Sequence, residues 1–199
     1  MTYSFQIDLN VLKAVATAMS NEETRYYLCG VHFTATKAGK LAIEATDGHR
    51  AMRAYIGHEV PEGFAAIVPD TLVKALIKLP KRVEAVTIEI DVETQKAKAV
   101  TPNGTLEQDL VAGSFPETSR IFPAETNGKA ARFQGKYVAD IDKAGKLLNA
   151  EPIFHFNGEA VNAVRFDGRS DIVCAIMPMR NGRVVVSNQE LAEAVSNCF

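Results

Sequence analysis

The sequence is short of the residues that most often carry chemistry. Its 199 residues include no tryptophan, three cysteines and four histidines. Cys29, Cys174 and Cys198 are far apart and odd in number, and none forms a CxxC pair. Reduced, mostly buried thiols are expected, not a disulfide framework or a zinc site. His32, His49, His58 and His155 fit no metal-ligand spacing such as HExxH. There is no GxSxG elbow, no Walker A loop and no GxGxxG fingerprint. Neither a cofactor nor a metal is expected. No apolar run approaches the roughly 20 residues that span a bilayer. The start, "MTYSFQIDLN", has no charged segment leading into an apolar one, so no signal peptide and a cytoplasmic location are expected. Charge of one sign is also lacking: 22 Lys and Arg stand against 24 Asp and Glu, a formal net charge of −2. That argues against a basic nucleic-acid arm or an acidic tail but allows a local basic face.

What is present is an ordinary globular composition, 47% hydrophobic and 23% charged, in a chain long enough for one large domain or two small ones. Four segments share one pattern, a short apolar strand followed by a capped amphipathic helix. They start at Ser4 ("SFQIDLNVLKAVATAMS"), Ala65 ("AAIVPDTLVKALIKLP"), Ala131 ("ARFQGKYVADIDKAGKLL") and Arg183 ("RVVVSNQELAEAVSNCF"). Leu9, Leu12 and Ala16 recur at helical spacing in the first, Leu72, Leu76 and Leu79 in the second, Val138, Ile141 and Leu148 in the third, and Leu191 and Val195 in the fourth. Asp8 or Asn10 can open the first helix and Asp70 the second; Ser187 with Glu190 makes a capping box for the fourth. Gly145 weakens the third helix, and Pro80 stops the second.

Three strand signals follow each of the first three helices, with turns at Lys37 to Lys40, Asn103-Gly104, Asn157-Gly158 and Asp167-Gly168. The unit is therefore strand, helix, three strands, and it recurs about every 61 to 66 residues. Antiparallel sheets with helices on one face, an α+β fold, follow from this order. The polar stretch "ETNGKA", 125–130, marks the main boundary. One complete domain is expected over 1–124, as two repeats of about 1–62 and 63–124. A partial domain is expected over 125–199, its repeat running to about 181 and an extra strand and helix over 182–199.

One stretch looks chemical. "LAIEATDGHRAMRA", 41–54, sets Asp47, Gly48, His49 and Arg50 side by side after an apolar run. A catalytic histidine needs a nucleophile or metal and an orienting partner, and no such set accompanies His49. Asp-Gly is a common turn signal, so a structural corner or a binding corner is the better reading.

In order along the chain, "ETRYYLCGVHF", "ATDGHR", "AGSFPETSRIFP" and "CAIMPMR" resemble the bacterial DNA sliding clamp, the DNA polymerase III beta subunit family. The repeated unit agrees, since each clamp domain is built from two such units. The match is to the clamp's middle domain and then to the second half of its last domain. Nothing resembles the first domain, and the residues after Arg180 run past the point where the family chain normally ends.

The resemblance implies a non-enzymatic protein with a hydrophobic cleft for short peptide segments of polymerases and other replication or repair proteins. Leu28 would line it; Thr46, Gly48, His49 and Arg50 would form one edge; Pro116, Arg120 and Ile121 would come from the connector. Ile176, Met177, Pro178, Met179 and Arg180 would close it. Methionines adapt to varied apolar partners. Ala51 and Asn181 stand where the family usually has leucine, which implies a shallower cleft. The resemblance also implies helices that face non-specific double-stranded DNA, with Lys13, Lys74, Lys78, Lys136, Lys143 and Lys146 as candidate phosphate contacts. An exposed helix face would carry the same lysines. A ring of twelve units would need a homo-oligomer of four chains, or of three if the fourth strand and helix complete a second domain. The alternative is a peptide-binding adaptor or regulator that forms no ring.

Overall fold

The computed structural model describes residues 1–180; Asn181 and the strand, helix and capping box expected beyond it lie outside the described residues. The first unit is β1 (Thr2–Asp8), α1 (Leu9–Ala16), β2 (Gly30–Ala35), β3 (Lys40–Thr46) and β4 (Arg50–Glu59). The second is β5 (Ala65–Pro69), α2 (Asp70–Ile77), β6 (Ala85–Asp91), β7 (Lys96–Thr101) and β8 (Gly104–Asp109). The third is α3 (Gly135–Leu148), β9 (Pro152–His155), β10 (Asn162–Phe166) and β11 (Arg169–Ile176). Among the described residues no helix is long and apolar enough to cross a membrane.

The first two units exchange their leading strands. β1 runs antiparallel to β6, and β5 runs antiparallel to β2. This gives one sheet of order β1-β6-β7-β8 and a second of order β5-β2-β3-β4-β11-β10-β9. The third unit continues the sheet of the first, because β11 pairs antiparallel with β4 and sets Ala175 opposite Ala51. The leading strand expected over Ala131 to Phe133 does not form. A leading strand pairs with the other unit of its domain, and the third unit has no such partner among the described residues. Tyr26 to Leu28 close a short 3-10 turn, Glu23–Leu28, ahead of β2.

Local chemistry explains the helix ends. Asp8 Oδ1 accepts the N–H groups of Asn10 and Val11 at 2.7 and 3.1 Å, capping α1. Asp70 is not the cap of α2: Pro69 holds that position, and the Asp70 carboxylate takes the Lys74 ammonium at 2.5 Å. α2 ends at Ile77, before Pro80. Gly145 has a packing reason, since a Cβ there would lie 2.6 Å from the Ala150 carbonyl oxygen where the chain turns back through left-handed Asn149. Leu9, Leu12, Leu72, Leu76, Ile141 and Leu148 join Phe33, Ile43 and Met52 in one core, and α1 packs against both α2 and α3. Tyr137, not the exposed Val138, fills the first apolar position of α3. Cys174 is in this core with its thiol pushed up to about 12 by burial, and half-buried Cys29 is raised for the same reason.

Candidate functional site

The Thr46–Arg50 corner is a turn stapled by its own side chains. Asp47 Oδ1 accepts the N–H groups of His49 and Arg50 at 2.9 and 3.1 Å, and the Thr46 hydroxyl donates to the Arg50 carbonyl at 2.6 Å. Gly48 has φ +88°, a left-handed conformation that favours glycine, and its open face lies against the Arg25 guanidinium. Asp47 is thus committed to the turn and to Arg50, whose Nε lies 3.3 Å from its carboxylate.

Strand alternation then sends neighbouring side chains to opposite faces. Arg50 shares the helix-facing side with Met52. Its Nη2 donates to the Thr17 carbonyl at 2.6 Å, its Nη1 meets Asp140 at 2.7 Å, and its guanidinium lies 4.7 Å from the Tyr137 ring centroid. Arg50 is therefore 6% exposed and ties the corner to α1 and α3. Ala51 takes the other face, with its cross-strand partners Thr46 and Ala175 and, one strand further, Ala163. Thr46 and Ala175 of this row of small side chains floor a hollow above the sheet.

That hollow is a mostly apolar cavity of about 260 Å³. Of the residues singled out in the sequence, Leu28, Thr46, Gly48, His49, Arg50, Pro116, Ile121 and Met177 line it. The others do not. Ile176 is fully buried on the core side of β11, as alternation requires. Arg120 points across the connector to a separate hollow, and Pro178 and Met179 border a third beside Arg132. Arg180 is exposed and lines none of these. The chain leaves the cavity after Met177: the Met177 N–H bonds to the His49 carbonyl at 2.8 Å, and the Met179 N–H to the Arg132 carbonyl at 2.7 Å. Arg25, Tyr27, Glu117, Thr118, Val161 and Ala175 complete the lining and were not singled out. The alternation of "CAIMPM" was the signal that would have chosen Ala175 over Ile176.

The connector wall is fixed to the sheet by a buried carboxylate. Glu44 accepts from Arg53 Nε at 2.6 Å and from the Thr118 hydroxyl at 2.5 Å, and its other oxygen lies 2.9 Å from His32 Nδ1. Burial alone would raise the Glu44 carboxyl. The His32 hydrogen bond, the Arg53 charge and the Thr118 hydroxyl outweigh that and hold it below the usual carboxylate range.

A second, polar hollow lies on the helix side of the same corner, about 600 Å³ in volume. Lys74, Lys136 and Lys143 border it, but so do Glu22, Asp47 and Asp140. The remaining lysines are scattered. Lys13 is half-buried with its ammonium 3.3 Å from the Leu79 carbonyl, Lys78 is exposed just past α2, and Lys146 pairs with Asp142 at 2.7 Å.

The family described as "DNA polymerase III beta subunit, central domain" matches residues 7–117, more than half of the chain. The chain belongs to the DNA polymerase III beta subunit family. The beta sliding clamp of Caulobacter vibrioides is 33% identical over 115 residues, 54% of this chain and 30% of that protein. The beta sliding clamp of Staphylococcus aureus is 30% identical over 151 residues, 72% of this chain and 39% of that protein. The chain therefore spans roughly a third of the length of these relatives, between 30% and 39%. Solved beta subunits share the fold. That of Borrelia burgdorferi, in complex with a natural product, superposes with TM-score 0.72 at 16% identity, covering 90% of this chain and 63% of that one. That of Bartonella birtlesii, bound to griselimycin, also gives 0.72, at 19% identity over 89% and 66%. The expected α+β clamp architecture is the one observed.

Proposed function

We propose that this member of the beta subunit family is a non-enzymatic tethering protein whose cavity accepts short apolar peptide segments of replication or repair proteins. The observation that carries the reading is the cavity itself. Its small-residue floor, its connector wall and the exposed Met177 give a half-open apolar pocket with polar groups, His49 and Glu117, at its edges. The Asp47–Arg50 set supports no rival catalytic reading, because Asp47 caps the turn and the Arg50 guanidinium is buried against Thr17 and Asp140. The test is fluorescence anisotropy of a labelled peptide carrying adjacent leucine and phenylalanine. Saturable binding that a peptide with both replaced by serine does not compete supports the reading; equal competition by the serine peptide would sink it.

We further propose residues 1–124 as one complete clamp domain and the segment from 125 as part of a second, in a homo-oligomer that encircles duplex DNA. The adaptor reading without a ring has its own support. Lys74 and Lys146 are neutralised by carboxylates four residues away, and Lys13 is spent on a carbonyl. Charge reversal of Lys74 and Lys78 separates the two. Encirclement requires weaker retention on closed circular DNA, whereas the adaptor reading requires no change.

A further inference from the structure

Glu44 lies in the middle of β3 at 2% exposure and does not line the apolar cavity. It is nonetheless bonded to one wall of it, through Thr118. Glu44 faces His32 on β2 and Arg53 on β4 as direct cross-strand neighbours, so the three side chains form a polar row. This row lies on the same face of the sheet as Thr46, Ala51 and Ala175, one step along the strands. Thr118 is the partner that comes from outside the sheet, and its hydroxyl reaches the Glu44 carboxylate at 2.5 Å. Two ring contacts flank that bond. Phe115 stacks on His32 with centroids 4.5 Å apart, and the Arg53 guanidinium lies 5.7 Å from the Phe122 ring centroid. The connector is therefore laid across the polar row while its Pro116, Glu117 and Ile121 wall the cavity over the small-residue row. On its other side it borders a larger hollow of about 1240 Å³, to which Pro116 and Glu117 are common. The connector is a partition between two spaces, held at Thr118.

We propose that Glu44 and Thr118 are positioning residues for ligand capture: their bond pins the connector partition and thereby sets the width of the apolar cavity. This rests on reading the cavity as a peptide acceptor. A charge-assisted hydrogen bond in a buried setting is strong enough to decide between a seated and a lifted connector. A lifted connector removes one apolar wall without touching the floor.

The chain has no tryptophan, so a Phe115→Trp background gives a single reporter beside His32. In that background Thr118→Val removes the hydroxyl at constant size, Thr118→Ser restores it, and Glu44→Gln removes the charge. Each protein is titrated with the labelled leucine–phenylalanine peptide, and tryptophan emission and acrylamide quenching are read without peptide. Thr118→Val is expected to shift emission to the red, raise quenching and weaken peptide binding about tenfold. Thr118→Ser is expected to recover both readouts, which a general loss of packing would not allow. Glu44→Gln is expected to follow Thr118→Val; if it does not fold, the Thr118 pair decides alone. Unshifted emission in Thr118→Val, or a shift with unchanged peptide affinity, overturns the proposal while leaving the peptide acceptor standing. Absence of peptide binding by the parent protein overturns the acceptor and this inference together.

Discussion

The two hollows that meet at the Thr46–Arg50 corner are built on opposite rules. The one above the sheet exists because a cross-strand row of threonine and alanines fails to fill the space under the connector. The one between the helices exists because charged side chains of both signs keep the surface open to water. Arg25, His49 and Arg50 border both, so residue type alone does not distinguish them. What differs is the fate of the charges. Near the cavity, Glu44 and Arg53 are buried and fully engaged. On the helix side Lys74 is exposed and paired with Asp70, while the Lys136 ammonium lies over the Tyr137 ring. A shaped apolar pocket backed by a buried network is a specific acceptor; a mixed-charge helix face is a general one.

The comparison is broken most severely at Glu44. Replacing it with alanine leaves Arg53 buried without its counter-ion, and urea unfolding should show a loss of about 3–5 kcal/mol. Ala175→Phe should act next, on binding and not on charge. It fills the cavity floor, and peptide affinity measured by anisotropy should fall at least about thirtyfold, equivalent to about 2 kcal/mol of lost apolar burial. Acid sharpens the contrast. The folded-state Glu44 carboxyl is held below its ordinary value of 4.5, so its contribution is complete above that value and is lost as pH falls through the lower, folded-state value. The melting temperature of the parent should therefore drop below about pH 4.5 more steeply than that of Glu44→Gln. Asp8→Ala, which removes the α1 cap, should cost about 1 kcal/mol by the same urea assay. Lys146→Ala, which breaks an exposed pair, should leave the unfolding midpoint unchanged.

Much of the architecture was legible because it is local. Apolar alternation and the Gly, Asn and Asp turns located all three strands after each helix, and Asp-Gly located the corner. The errors fall where a residue's fate depends on a distant partner. Ala131 to Phe133 has the composition of a leading strand, but a leading strand here pairs with a second unit, and none faces it among the described residues. Arg50 is fixed by Thr17 and Asp140, and Glu44 by His32, Arg53 and Thr118. Read in sequence, Glu44 was one charge in an apolar run. A carboxylate in a strand otherwise buried on both faces is itself a sign of a hidden pair, and that sign was available. The choice of Met177 but not Ile176, Pro178 or Met179 needed the alternation of β11 and the point where the chain turns away.

The central claim is that the peptide enters above the sheet. Methyl NMR of the full chain titrated with the labelled leucine–phenylalanine peptide tests it most directly. Shifts concentrated at Leu28, Ile121, Val161, Ala175 and Met177, with the methyls around the helix-side hollow, Ala16, Met19 and Ile77, unmoved, are expected. Shifts centred on Ala16, Met19 and Ile77 instead would contradict it.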